Sequence, residues 1–106
     1  MKAILRNYRQ APRKVRLIAD VIRGKNVNDA LQDLEFLNKK AAGPFAKLLK
    51  SAVANAKQAG KKEEGLIVEK VTVDKGVTFR RYLRHAKRVF PLKKETSHIS
   101  IILGEK

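Results

Sequence analysis

Residues 75–95 carry Lys75, Arg80, Arg81, Arg84, Lys87, Arg88, Lys93 and Lys94 against a single acid, Glu95. At this density such side chains do one kind of chemistry: they neutralise phosphate. Each cation set against a phosphate releases a condensed counterion, which adds affinity and fixes position without reading base sequence. Without an anionic surface to lie in, the segment would repel itself. A second block comprises Arg9, Arg13, Lys14, Arg16, Arg23 and Lys25. Residues 1–25 are net +7, residues 26–74 net +1 and residues 75–95 net +7, within a chain of net +15. A charge run alone is usually a solvated face. Two separated blocks of equal strength, flanking a near-neutral middle, point instead to nucleic acid. Tyr82, His85 and Phe90 interleave with the cations of residues 75–95. Stacking on unpaired RNA bases and pairing across a hairpin are both open to them.

Other chemistry is poorly supplied. Asp74, Ser97 and His98 are the residue types of a hydrolase triad, but no nucleophile elbow accompanies them. A structural or RNA-contacting His98 is the better reading. The chain has no cysteine and two histidines, which removes disulfides and thiolate metal sites and leaves too few imidazoles for a metal centre. There is no phosphate-cradling glycine loop. The expectation is a protein without catalytic or metal-binding residues and without a cofactor. No apolar run approaches the eighteen or so residues of a membrane span, and no secretion signal opens the chain. A cytoplasmic protein is expected.

The 106 residues suit one domain with a modest core. Ala3–Tyr8 has the apolar and aromatic character of a short strand. Pro12 fits the first position of a helix, in which Val15, Ile18, Ala19 and Ile22 recur at helical spacing and Leu17 and Val21 widen the face. Arg13, Arg16, Asp20 and Arg23 take the opposite side, and Gly24 stops the helix. Asn28 suits the cap of a second, short helix, with Ala30, Leu31, Leu34 and Leu37 inward. In the third and longest helix, Phe45, Leu48, Leu49, Ala52, Ala56 and Ala59 form the buried stripe and Gly60 ends it. Proline inside a helix loses a hydrogen bond, so this helix is expected to start at Pro44, with Lys39–Ala42 as a kinked extra turn. The small residues Ala52, Ala54 and Ala56 would let a neighbour approach. Lys61–Gly65 reads as a charged loop. Leu66–Asp74 and His98–Leu103 read as strands, antiparallel to each other, with the N-terminal strand as an added edge. The expected fold is α+β: three helices packed on a small antiparallel three-stranded sheet. The globular body takes residues 1–75 and 96–106, and an extended basic hairpin takes 76–95.

Several stretches resemble one family, bacterial-type large-subunit ribosomal protein twenty-two. The run Arg9-Gln10-Ala11-Pro12-Arg13-Lys14-Val15-Arg16-Leu17-Ile18-Ala19-Asp20-Val21-Ile22-Arg23-Gly24-Lys25 is similar to its first-helix signature. Asn38-Lys39-Lys40-Ala41-Ala42 and Ser51-Ala52-Val53-Ala54-Asn55-Ala56 are similar to its third-helix region. Val73-Asp74 with Gly76, and Thr96-Ser97-His98-Ile99, resemble the two ends of its hairpin. The matches run in order along essentially the whole chain. The resemblance implies a body on the outside of the large ribosomal subunit, help in organising several domains of its RNA during assembly, and a hairpin reaching the wall of the nascent-peptide exit tunnel. It implies RNA contacts by Arg9, Arg13, Lys14, Arg16, Arg23, Lys25, Arg80, Arg81, Lys93, Lys94, Ser97 and His98. The tunnel tip would be Arg84, His85, Ala86, Lys87 and Arg88. The implied partners are large-subunit rRNA, neighbouring large-subunit proteins and the nascent peptide, with no homo-oligomer. The chain departs from the family pattern at Val77, where proline usually follows the glycine, and at Glu95, where a base is usual. Its Arg84–Pro91 tip is one residue short.

Two rival readings remain. An architectural DNA-binding protein would also use a basic β-arm, with Pro91 as a wedge near the tip. A module for acidic protein partners would not need such a density of arginine. Co-sedimentation with ribosomal particles or with the nucleoid separates these.

Overall fold

The computed structural model describes the backbone of residues 2–85 and 88–105, and side chains for residues 2–78 and 94–105. The order is β1 (Lys2–Tyr8), α1 (Pro12–Ile22), α2 (Val27–Phe36), α3 (Ala42–Gln58), a 3-10 turn at Glu63–Gly65, β2 (Leu66–His85) and β3 (Arg88–Glu105). The sheet is antiparallel throughout, in the order β1-β3-β2. The α+β fold expected from the sequence is the one observed.

Strand alternation makes the core. On β3, Ile99, Ile101 and Leu103 are buried, while His98, Ser100 and Ile102 lie half-buried on the other side. Successive side chains of a strand point to opposite faces, so only one face receives the helices. Val15, Ile18, Ala19 and Ile22 of α1 meet that face, as do Phe45, Leu48, Leu49, Ala52 and Ala56 of α3, and all belong to one apolar cluster. Ala30 and Leu34 of α2 join it. Gly24 and Gly60, with φ of 80° and 84°, stop α1 and α3 in the left-handed conformation that glycine adopts without penalty.

Several boundaries differ from the expectation. Helix α2 starts at Val27, with Asn26 and not Asn28 at its cap. The cause is non-local: the N–H of Gly24 donates to Val68 O at 2.9 Å, and the N–H of Val68 to Lys25 O at 2.8 Å. The chain stays extended against β2 until Asn26, and the helix begins once it leaves. Helix α3 starts at Ala42, two residues before Pro44. Pro44 then falls in the first turn, whose N–H groups have no intrahelical partner anyway, so its missing donor costs nothing there. Leu17 does not widen the buried face of α1; it is 62 % exposed. Ala59 is the C-cap of α3 and lies exposed, and Ala54 is exposed too. Val53 is buried in its stead.

The strands β2 and β3 continue into the long basic hairpin expected over 76–95. Their pairing runs on from Thr78 with Glu95 to His85 with Arg88. The body and the arm therefore share two unbroken strands. A compact chain of this length would have a radius of gyration of about 13 Å; this one has 16.6 Å and a longest extent of 61 Å. The excess is the arm.

Candidate nucleic-acid interface

The two cationic blocks are presented by different elements. Arg13, Lys14, Arg16 and Arg23 all lie on or just past α1 and are exposed, as are Arg9 and Lys25 in the flanking loops. Helix α1 can turn this face outward because its opposite stripe, Val15 to Ile22, is anchored in the core.

Two of these arginines also do structural work that sequence spacing did not reveal. The Arg16 guanidinium donates through Nε and Nη2 to Val73 O, at 3.4 and 3.2 Å. Arg23 donates through Nη2 to Val71 O at 3.0 Å, and through Nη1 to Asp20 Oδ1 at 2.7 Å. β2 is an edge strand, and a bare strand edge invites unwanted pairing. Along this edge Val68 is closed by the backbone of Gly24 and Lys25, Val71 by Arg23, and Val73 by Arg16. An arginine has five N–H donors, so one or two bonds to the strand leave others directed outward. The strand thus holds both guanidinia in fixed positions on the surface. Lys25 forms an ion pair with Asp33, so part of its charge is compensated within the body.

The second block lies on the arm. Arg80 pairs in register with Lys93, and Arg81 with Leu92. The side chains of Arg80, Arg81, Arg84, His85, Arg88 and Lys93, together with those of Tyr82 and Phe90, fall outside the described residues, as do Ala86 and Lys87 altogether. Lys94 is exposed. The register sets Arg80 opposite Lys93, and like charges directly opposite are unfavourable unless a polyanion lies alongside.

The blocks meet the body at the root of the arm. Both flanking strands bulge close together along β3: β1, between Leu5 and Tyr8, opposite His98, and β2, between Lys75 and Thr78, opposite Thr96, with Ser97 between them. Thr96 and Ser97 are fully buried. The Thr96 hydroxyl donates to Val77 O at 2.6 Å, and the Ser97 hydroxyl to Gln10 O at 2.7 Å. His98 accepts the Asn7 N–H at Nδ1, at 3.1 Å. Ser97 was expected among the RNA contacts. It has no exposed surface, and its hydroxyl is engaged inside the protein. His98 is half-buried on the open face of the sheet. Consecutive residues on a strand face opposite ways, so Ser97 and His98 diverge and no triad with Asp74 forms. Asn7, Gly76 and Thr96 were not singled out as a group, because a bulge leaves no periodic mark. The visible signals are Gly76 and the Thr96-Ser97-His98 run, at the two ends of the hairpin.

Burial pushes the Tyr8 phenol up from its usual pKa, so it packs as a neutral group near pH 7. Among the described residues, no helix is long and apolar enough to cross a membrane.

With this geometry in hand, comparison with known proteins is specific. The model of a family described as ribosomal protein L22p/L17e matches residues 3–104. The chain is similar to the large ribosomal subunit protein uL22 of Bdellovibrio bacteriovorus, 44 % identical over 108 residues, which covers 100 % of this chain and 98 % of that protein. It is 48 % identical over 105 residues to the protein of the same name from Anaeromyxobacter sp. strain K, covering 96 % of this chain and 72 % of that one. With its counterpart in Desulfitobacterium hafniense strain Y51 it shares 47 % identity over 107 residues, 99 % of this chain and 94 % of the other.

Proposed function

The chain belongs to the ribosomal protein L22p/L17e family, and from that premise we propose that it is a structural constituent of the large ribosomal subunit that binds large-subunit rRNA through its two cationic blocks. The relatives named above are large ribosomal subunit proteins, which supports a structural role in the cytoplasmic ribosome and leaves a catalytic one without support. The observation that carries the RNA reading is the arm. Strands β2 and β3 run without interruption out of the body, paired as far as His85 with Arg88, and residues 75–95 on them are net +7. Phosphates alongside an arm of this charge relieve its self-repulsion and gain counterion release. The exposed face of α1, with Arg9, Arg13, Lys14, Arg16, Arg23 and Lys25, docks the body on RNA. Arg80, Arg81, Lys93 and Lys94 hold the arm along RNA. Residues Arg84–Arg88 form the tip, beside the path of the nascent peptide in the exit tunnel. The protein supports assembly by bridging several domains of the rRNA, next to other large-subunit proteins.

A ribonuclease footprint of the purified protein on large-subunit rRNA tests the binding. Protection at two or more separated regions is expected, and protection that disappears at moderate salt everywhere would reduce the contact to non-specific adsorption. A photo-crosslinker at residue 86 in assembled, translating ribosomes tests the tip. Capture of the growing peptide is expected; crosslinks to RNA alone would place the tip within RNA and remove the tunnel role.

A further inference from the structure

The root of the arm is built more tightly than a simple strand crossing needs. Thr96, Ser97 and His98 are consecutive on the central strand, yet each is tied to a different segment: Thr96 to the β2 bulge at Val77, Ser97 to the β1–α1 loop at Gln10, His98 to the β1 bulge at Asn7. Asn7 has a φ of 54°, a left-handed conformation that few residues other than glycine and asparagine adopt. It is held there with its N–H pointing at the imidazole. On the other side Gly76 leaves no room for a side chain: a Cβ would lie 2.5 Å from Thr96 Oγ1, 3.2 Å from His98 Cε1 and 3.3 Å from Asn7 Oδ1. The β2 bulge, the glycine and the left-handed asparagine therefore close on one point. Bulges bend a strand and increase its local twist, so the two bulges on opposite sides of β3, two residues apart at His98 and Thr96, set the angle at which the arm leaves the body.

We propose that Asn7, Gly76, Thr96, Ser97 and His98 form an aiming clamp: positioning residues that fix the direction of the basic arm and so let both cationic blocks reach RNA together. This rests on the RNA-binding reading for its consequence, but the clamp itself is a property of the protein alone. Two phosphate-binding surfaces joined rigidly act at a high effective concentration on one target, and that advantage is lost when the joint swings. The clamp requires no contact between its own buried hydroxyls and RNA. The Thr96 hydroxyl is the part most open to test, because it can be removed with little change of volume.

The chain has no native cysteine, so a spin-label pair at Lys57→Cys and Arg88→Cys reports the angle between body and arm. In that background Thr96→Val deletes the donor to Val77 O, and Thr96→Ser keeps it. Thr96→Val is expected to broaden or displace the label distance by several ångströms and to weaken binding to transcribed large-subunit rRNA by about tenfold, while the thermal transition of the body stays cooperative. Thr96→Ser is expected to restore the distance distribution and bring affinity within about twofold of the parent. An unchanged distance distribution in Thr96→Val overturns the clamp, whatever RNA does. A changed distribution with unchanged rRNA affinity overturns its role in docking. If the parent protein does not bind rRNA at all, the RNA-binding reading fails, and the distance measurement still decides the clamp. Gly76→Ala is a second variant that approaches from the β2 side; it must shift the distance in the same experiment for the five residues to act as one joint.

Discussion

Residues 1–25, centred on the first helix, and residues 75–95 of the arm carry equal blocks of net +7, yet the protein holds them in opposite ways. On α1 the cations sit on a helix backed by the core, and Arg16 and Arg23 are bonded to carbonyls of β2. On the arm they sit on two strands that, beyond Thr78 and Glu95, pair with each other and with no third described strand. The body face is therefore preorganised by packing. The arm is ordered by its backbone ladder and by its root. Preorganised charge binds phosphate with little further loss of freedom, whereas a cationic ladder gains most when RNA relieves its own repulsion. Equal charge on these two supports predicts unequal effects of mutation, in affinity for the arm and in stability for the body.

The largest effect is expected from the arm. Changing Arg80, Arg81, Lys93 and Lys94 to Gln should lower the log–log salt slope of rRNA binding by roughly three units, at about 0.7–0.9 per lost phosphate contact. Thermal stability should hold or rise. Replacing residues 78–94 by an Asn-Gly turn should act in the same direction and still leave a cooperative melt, because the apolar cluster among the described residues is built from α1–α3 and the body ends of the strands. Loss of the melt would show that the arm supports the body, and the contrast between the two regions would collapse.

The core comes next. Leu49 is fully buried, so Leu49→Ala should cost about 2–5 kcal/mol, read as a fall in the denaturant midpoint with an unchanged slope. Its salt dependence of RNA binding should match the parent's once the fraction folded is allowed for. A smaller effect is expected from Gly76→Ala at the root, about 1–3 kcal/mol for a side chain forced into filled space. Amide exchange should then quicken around Val77 and Thr96 before it does in α3. Uniform exchange across both would mean the root is not a separate unit.

How much of this contrast was legible beforehand follows from what is local. The stripe Val15, Ile18, Ala19, Ile22 and the alternation Ile99, Ile101, Leu103 are periodic, and both survive into the core. The two cationic blocks are compositional, and the sequence places them without ambiguity. What escaped is non-local. The start of α2 depends on Gly24 and Lys25 pairing with Val68, more than forty residues away in the chain. The exposure of Leu17 depends on how α1 rolls against β2. The inward turn of Ser97 and the two bulges depend on three strands agreeing in register. Resemblance marked Thr96-Ser97-His98 as meaningful, but it suggested RNA contact for Ser97, and burial shows a brace instead.

The smallest expected effect is the most discriminating, because it separates charge from structure within a single helix face. Arg13, Arg16 and Arg23 look equivalent in sequence, spaced along one side of α1. In the fold they are not: Arg16 and Arg23 close the edge of β2, at Val73 O and Val71 O, and Arg13 makes no such bond to that edge. Each single change to Gln should lower the salt slope by about 0.7–0.9 if the residue meets a phosphate. Arg16→Gln and Arg23→Gln should each also cost about 0.5–1.5 kcal/mol of stability, the usual net worth of a hydrogen bond, lowered toward the bottom of that range by solvent exposure. Arg13→Gln should cost nothing measurable, since Gln is a good helix former. Calorimetry on the three single variants, beside salt titrations of rRNA binding, makes the comparison. Equal stability in all three would mean that the guanidinium bonds to β2 contribute nothing in water, and the edge would then be closed by Gly24 and Lys25 alone. Equal loss of slope in all three, with stability lost in two, would establish that Arg16 and Arg23 bind the sheet and RNA at once. The body face would then owe its preorganisation to the very strand that continues into the arm.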